Sequence, residues 1–335
     1  MRIPIACDAG NYDVVLSSGC LKCADELLDL NRKVLIVTDA GVPEVYARTV
    51  SDRCAQSVVV RIAQGEANKN LDSFQYLMKA MLDAGFTRSD CVVAVGGGVA
   101  GDLAGFAASC YMRGIDFYNI PTTLLAQVDS SIGGKTAVDF CGVKNVVGAF
   151  YPPKRVLIDP DVLDTLPRRQ LRSGLAEAVK MAVTFDENLF RRIEETENAY
   201  EILPEIIQAS LLIKKNVVEQ DPREQGLRRA LNFGHTVGHA VESLADGALL
   251  HGECVALGML PMCAPDMRER LKNLLTRLGL PVRVEWPTGD LLPFLLHDKK
   301  KRAETIVCVL SDKIGTFRFA ELTPREILTR LEESL

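Results

Sequence analysis

No stretch of this chain approaches the ~18 consecutive apolar residues that a membrane span requires. None of signal-peptide length follows the opening Met1-Arg2-Ile3-Pro4 either. A cytoplasmic protein with no membrane partner is therefore expected. Long basic runs are missing too: 39 Lys and Arg face 44 Asp and Glu, a net charge of −5, which argues against nucleic acid as the main partner. The 10 cysteines form no framework. Cys20-Leu21-Lys22-Cys23 has no second pair at zinc-ribbon spacing, so most of the thiols read as small hydrophobes in a reducing compartment. The sequence shows no internal repeat or low-complexity tract. Histidine is scarce, at 4 in 335 residues.

With 47% hydrophobic and 25% charged residues, the chain is an ordinary globular one, long enough for two domains of about 150 residues each. Its first half alternates. Strand-like apolar runs at Lys33–Thr38, Ser57–Arg61, Asp90–Val95 and Asp116–Ile120 are separated by helix-like stretches such as Leu71–Ala84. That βαβ rhythm predicts a Rossmann-like, mostly parallel twisted sheet with both faces covered. After Pro152-Pro153 the texture changes. From Pro167 to about Ala264 the period is helical, with stretches at Arg169–Val183, Leu203–Glu219 and Gly234–Leu244. Pro261 and Pro265 interrupt the helix expected after Gly258. Thr305–Leu310 with Thr316–Ala320 reads as a small hairpin. An α/β domain over residues 1–155 and a mainly α-helical domain over 156–335 are expected.

Three of the few histidines fall close together: His235 and His239 in Gly234-His-Thr-Val-Gly-His239, and His251 in Leu250-His-Gly-Glu253. Neutral imidazole suits zinc, and a catalytic zinc takes about three protein ligands plus one open position; the missing ligand should be a carboxylate. Four apart on a helix, His235 and His239 share a face, which equally describes a hydrogen-bonded pair without metal. Gly234 and Gly238 tilt the balance. Each costs about 1 kcal/mol of helix stability relative to Ala, so something must come close there.

Gly96-Gly-Gly-Val-Ala-Gly101 satisfies Gly-x-Gly-x-x-Gly after a strand and ahead of a helix expected over Asp102–Cys110. Bare backbone N–H groups and a helix N-terminus can then approach a pyrophosphate; a tight strand-to-helix turn is the plainer alternative. The acidic residue usual about 20 positions on would fall near Asp116, at the wrong end of a strand. Asp39, at the end of its own strand, is better placed for an adenosine ribose. Gly133-Gly-Lys-Thr136 imitates the end of a Walker A loop but has Asp129 where that motif needs glycine. An ATPase reading fails on that spacing.

Taken together, Gly65-Glu66 with Lys69, Gly96–Asp102, Tyr111-Met-Arg-Gly114, Pro121–Leu125, Asp129–Thr136, Lys144-Asn145, Gly174–Lys180 and both histidine segments resemble the 3-dehydroquinate synthases of the sugar-phosphate cyclase superfamily. The likeness runs from about residue 30 to 315 in one order, which is far more specific than any single motif. It implies a phosphate-eliminating carbon–oxygen lyase of the shikimate pathway of aromatic amino-acid biosynthesis. The substrate would be 3-deoxy-D-arabino-heptulosonate 7-phosphate, turned over with NAD and zinc, cobalt being a second candidate. The implied metal ligands are Glu177, His235 and His251. His239, which i,i+4 spacing alone would pair with His235, goes to the phosphate region instead.

The resemblance implies catalytic roles for Lys135, Lys180, Lys214, Arg228, Asn232 and His239, and substrate contacts from Arg113, Asp129, Lys144, Asn145 and Lys300, with Lys299 as the alternative to Lys300. NAD would contact Asp39, Gly65, Glu66 and Lys69. It would also contact Gly97, Gly98, Val99, Gly101 and Asp102, then Thr122, Thr123, Lys135, Lys144 and Thr165. Residues 1–155 become the NAD-binding domain and 156–335 the metal and substrate domain. Arg113 would reach into a partner subunit, which implies a homodimer. Other readings are another sugar-phosphate cyclase, a glycerol-type metal-dependent polyol dehydrogenase, which needs no phosphate cations, and a non-catalytic scaffold. Two departures stand out: Gln64 precedes Gly65-Glu66 in place of an acidic residue or proline, and the stretch between His251 and Gly279 is about a dozen residues shorter than is usual.

Overall fold

The computed structural model describes residues 1–7, 10–296, 301–302 and 305–334, in two compact units, Met1–Leu166 and Pro167–Leu335. Unit 1 is built on nine strands: β1 (Arg2–Ile5), β2 (Tyr12–Leu16), β3 (Lys33–Asp39), β4 (Gln56–Ile62), β5 (Cys91–Gly96), β6 (Asp116–Pro121), β7 (Lys135–Phe140), β8 (Val143–Phe150) and β9 (Arg155–Ile158). Seven of them form one sheet in the order β1-β2-β9-β6-β5-β3-β4. Only β1 pairs antiparallel there; the rest run parallel. Its helices are the short α1 (Ala24–Leu27), α2 (Glu44–Ser51), α3 (Leu71–Asp83) and α4 (Gly98–Cys110).

The unbroken apolar runs of the sequence follow from this layering. On β3 and β5, Leu35, Val37, Val92 and Ala94 enter the core shared with α3 and α4. Their neighbours Val34, Ile36, Cys91, Val93 and Val95 enter the core on the other face. A strand with both faces buried has no polar side to show. The first expectation needing correction is the start of α4, which opens at Gly98 rather than Asp102. Gly98 and Gly101 let its first turn lie against neighbours: a β-carbon at Gly101 would sit 3.2 Å from Nδ2 of Asn119 on β6, and one at Gly98 would sit 3.2 Å from Oγ of Ser130. The β7–β8 hairpin was not expected at all. Its strands are mostly half-buried or exposed, and Lys135, Asp139, Lys144 and Asn145 interrupt the alternation that marks a strand. It is held by Val138, which enters the core beside α4.

Unit 2 carries α5 (Arg168–Phe185), α6 (Glu187–Glu195), α7 (Leu203–Gln220), α8 (His235–Ala245), α9 (His251–Met259), α10 (Pro265–Arg277), α11 (Leu292–Leu296) and α12 (Pro324–Glu332), with β10 (Lys301–Arg302), β11 (Thr305–Leu310) and β12 (Arg318–Leu322) as a small antiparallel sheet. The expected hairpin is β11 with β12, its second strand displaced to 318–322. As the prolines require, α9 stops at Met259, a short turn spans Leu260–Met262, and α10 opens on Pro265.

Glycines decide how α5, α8 and α9 meet. A β-carbon on Gly252 would lie 1.9 Å from the Ser173 carbonyl oxygen of α5, and one on Gly258 would lie 1.9 Å from the Gly234 carbonyl oxygen at the start of α8. At Gly238 the distance to the Cys254 carbonyl oxygen is 3.0 Å. Gly234 itself takes φ 78°, a left-handed conformation that glycine adopts without steric cost. The close approach signalled by Gly234 and Gly238 is thus that of another helix.

Candidate functional site

In unit 2 the packing of α5, α8 and α9 converges three side chains. Glu177, on α5, is fully buried. Its Oε1 lies 3.8 Å from Nε2 of His235 and 3.2 Å from Nε2 of His251, and its Oε2 is ion-paired with Nζ of Lys180, one turn on along the helix. Neither Glu177 oxygen has a hydrogen bond of good geometry among the described residues. The other imidazole nitrogens are occupied: Nδ1 of His235 lies 3.1 Å from the Phe233 carbonyl oxygen, and Nδ1 of His251 lies 3.2 Å from Oε2 of Glu242. Each ring therefore turns Nε2 toward the same carboxylate.

The start of α9, and with it His251, is tied down by two groups. Glu253 accepts two hydrogen bonds from Arg169, each 2.7 Å, and one from the Leu250 N–H, while Ser173 Oγ accepts from the Gly252 N–H at 3.0 Å. Burial alone would raise the Glu177 carboxyl, but Lys180 and His251 hold it well below the usual carboxylate range. Burial alone would lower His251; the carboxylates of Glu177 and Glu242 instead raise it to about 10. A divalent cation would meet the same attraction as that proton.

Among the described residues, the other expected ones of the unit lie on α5, α7 and α8 and in the turn before α8. Lys180 and Lys214 are buried, as is Arg228, on α5, on α7 and in the short turn Leu227–Asn232. Arg228 is positioned by its backbone: Oδ2 of Asp221 accepts its N–H at 2.9 Å, and its guanidinium donates to the Pro222 carbonyl at 2.8 Å. Asn232 donates to Oε1 of Glu224 at 2.6 Å. His239 is exposed, with its ring centroid 5.1 Å from that of His235 and 6.0 Å from that of His251. Lys299 and Lys300 lie outside the described residues.

Unit 1 gathers a second cluster, centred on a cation. Lys69 is buried, and its Nζ lies 2.6 Å from Oε1 of Glu66, 2.7 Å from Oδ1 of Asn145, 3.3 Å from Oδ2 of Asp102 and 3.9 Å from Oδ1 of Asp139. Burial pushes the Asp102 carboxyl up to about 7, although Lys69 pulls against it. Beside this cluster begins α4, whose N-terminus has no side-chain cap and no acidic residue in its first turn. Its free N–H groups and the positive end of its dipole suit a phosphate. Asp39 ends β3 with Oδ2 3.5 Å from where a Gly96 β-carbon would be.

Two family models cover consecutive parts of the chain: 3-dehydroquinate synthase N-terminal over residues 59–173 and 3-dehydroquinate synthase C-terminal over 174–301. A 3-dehydroquinate synthase of Latilactobacillus sakei is 45% identical over 299 residues, 85% of this chain and 84% of its own length. The chain belongs to the 3-dehydroquinate synthase family. Among solved structures, 2-epi-5-epi-valiolone synthase from Streptomyces hygroscopicus, with NAD+ and Zn2+ bound, superposes with TM-score 0.89 at 31% identity over 98% of both chains. A 2-deoxy-scyllo-inosose synthase complexed with carbaglucose-6-phosphate, NAD+ and Co2+ gives TM-score 0.90 at 25% identity over the whole of both chains.

Glu177, His235 and His251 could hold a divalent cation, since their donor atoms lie within 4.8 Å of one another and the carboxylate oxygens face inward without hydrogen-bond donors of good geometry. In unit 1, Gly97, Gly98, Val99 and Gly101 form the approach to the α4 N-terminus, where a dinucleotide phosphate could sit. Thr122 is buried, its N–H bonded to the Gly96 carbonyl, and Thr123 Oγ1 accepts from the Ala126 N–H at 3.2 Å. Gly65 (φ 105°) opens the turn carrying Glu66.

Thr165 is bonded to the Tyr46 hydroxyl at 2.9 Å. Asp129 sits half-buried in the widened helical turn Ala126–Ser130, while Lys135 and Lys144 are exposed on β7 and β8. Arg113 is exposed in a turn where Met112 and Arg113 have φ of 47° and 68°. Inspection of the sequence missed Asp139, Asp221 and Glu242. Glu242 had a legible signal, standing seven residues after His235 on the same helix face; Asp139 and Asp221 act through backbone hydrogen bonds, which have no spacing to read.

Proposed function

We propose that the chain converts 3-deoxy-D-arabino-heptulosonate 7-phosphate to 3-dehydroquinate and phosphate, as an NAD- and divalent-metal-dependent carbon–oxygen lyase of the shikimate pathway. The observation that carries this reading is the Glu177–His235–His251 set, with its carboxylate buried and paired to Lys180, in a chain 45% identical to a 3-dehydroquinate synthase and 31% and 25% identical to two other cyclases. Unit 1 binds the dinucleotide, unit 2 the metal and substrate. NAD at the α4 N-terminus would supply reversible hydride acceptance, and zinc or cobalt held by Glu177, His235 and His251 would supply polarisation of an alcohol.

The chain's own side chains supply the rest. Lys180 and Lys214 are buried cations that attract negative charge developing on the substrate, and Arg228 and Asn232 orient its carboxylate and hydroxyls. Lys135 and Asp129 complete the substrate contacts. His239, Lys144, Asn145, Arg113 and Lys300 hold the phosphate, Arg113 from the partner of a cytoplasmic homodimer. Asp39, Glu66, Lys69, Asp102 and Thr165 bind the dinucleotide together with the glycine block.

Purified protein given the heptulosonate phosphate, zinc and a trace of NAD should release phosphate and form dehydroquinate far in excess of the NAD added, with no matching growth of NADH absorbance. Stoichiometric NADH, or phosphate release without dehydroquinate, would overturn the reading.

A further inference from the structure

His251 is held from both sides. Its Nε2 faces Glu177, and its Nδ1 lies 3.2 Å from Oε2 of Glu242. The second contact does something the first cannot. An ionised carboxylate only accepts hydrogen bonds, so when a cation takes the place on Nε2 beside Glu177, Glu242 keeps the remaining imidazole proton on Nδ1 and leaves the Nε2 lone pair to the cation. His235 receives the same tautomeric instruction from the Phe233 carbonyl, but a neutral carbonyl adds less basicity to the ring than a charged carboxylate does.

Position supports this role. Glu242 lies on α8, the helix that carries His235, while His251 opens α9. The contact thus spans the two helices whose approach sets the spacing of the two rings. The Glu242 side chain is only 16% exposed, and a carboxylate so placed loses hydration that a partner must offset.

We propose that Glu242 is a positioning residue for the metal centre: through Nδ1 of His251 it sets the tautomer and orientation in which Nε2 can bind a divalent cation alongside Glu177 and His235. The inference rests on the metal assignment made above. A competing arrangement uses Glu242 as a ligand itself, with His239 and His251, whose donor atoms also lie within 4.8 Å of one another. Both arrangements draw on His251. The one containing Glu177 is the more buried.

The test is zinc affinity, measured on the metal-free full-length protein by titration of Zn2+ against a chelating indicator, with the melting temperature of each metal-free form recorded beside it. The parent should take up zinc and His251→Ala should not. Glu242→Ala should weaken zinc by about 10- to 100-fold, and Glu242→Gln, which keeps an acceptor without the charge, by less. Their metal-free melting temperatures should match the parent's, and His239→Ala should bind zinc as the parent does. A Glu242→Ala dissociation constant within about twofold of the parent's overturns the inference. So does a His239→Ala loss equal to that of Glu242→Ala, which makes Glu242 a ligand, or a fall in the metal-free melting temperature of both Glu242 variants, which makes it a fold residue. If the parent takes up no zinc, the metal assignment itself fails; if the parent binds and only the Glu242 variants are indifferent, this inference alone fails.

Discussion

Unit 1 surrounds a buried lysine with carboxylates, whereas unit 2 surrounds a buried carboxylate with a lysine and two imidazoles. Around Lys69 the acids Glu66, Asp102 and Asp139 outnumber the one cation. The excess negative charge cannot all be neutralised, so burial drives the Asp102 carboxyl up to about 7. Around Glu177 the balance is reversed. Lys180 already matches the carboxylate, and the attraction that holds a proton on His251 is open to a divalent cation in its place. The scaffolds differ as well. At the start of α4 in unit 1, Gly97 and Gly98 bring backbone against the side chains of Thr123 and Ser130; Gly252 and Gly258 in unit 2 bring backbone against backbone. A side chain can move aside. A helix carbonyl cannot without shifting its helix.

The largest effect should come from removing a member of the unit 2 cluster. His251→Ala should lose its zinc and at least about 10²-fold in activity, the scale of a lost electrostatic contact to the reacting group. The protein should remain folded by circular dichroism, because a catalytic metal is not the main staple of this helical unit. Elemental analysis showing normal zinc in that variant would sink the ligand assignment.

The contrast between the glycines is tested next. Gly252→Ala places a methyl 1.9 Å from the Ser173 carbonyl oxygen and should cost about 1–3 kcal/mol, a fall in melting temperature of roughly 3–10 °C. Gly98→Ala meets only the Ser130 hydroxyl, at 3.2 Å. It should leave the melting temperature nearly unchanged while weakening NAD by roughly tenfold, about 1.4 kcal/mol. Equal losses of stability would erase the distinction drawn here.

A more modest effect tests the proposed homodimer. Arg113→Ala and Lys135→Ala should each be nearly inactive alone, yet their heterodimer should regain up to about half of parental activity, roughly a quarter for an equal mixture under random exchange, since one of its two sites then carries both lesions and the other neither. Failure to recover under proven subunit exchange would place Arg113 in its own chain's site.

The smallest effect concerns Asp102. A carboxyl raised above its unfolded value of 3.8 to about 7 favours the protonated fold, so its stabilising contribution is fully present below about pH 4 and is lost as pH rises through 7. Asp102→Asn does not titrate. Its melting temperature should therefore gain on the parent's between pH 4 and 8 without NAD; a constant gap would show that burial does not govern Asp102.

Much of unit 1 was legible in the sequence because its strands are buried on both faces and announce themselves as apolar runs at Lys33–Thr38 and Asp90–Val95. The β7–β8 hairpin was not, because its polar face interrupts the pattern on which such reading depends. In unit 2 the helices α5, α7 and α8 and the proline-set end of α9 were legible, and so was the presence of a histidine cluster. Which histidines act together came from the family resemblance, not from spacing. Helical spacing favours His235 with His239, one turn apart on α8, whereas the fold brings His235 and His251 to the same buried Glu177.

The sequence by itself determined the donor types, the glycines and the ends of α5, α7 and α8 to within two residues, since these depend on local chemistry and period. Spacing left the partnership of Glu177, His235 and His251 open; the family resemblance implied it, and only the tertiary structure decided how the three side chains meet. That partnership depends on how closely α5 and α8 approach α9 at Gly252, Gly234 and Gly258, a distance between helices that no spacing along one chain segment encodes.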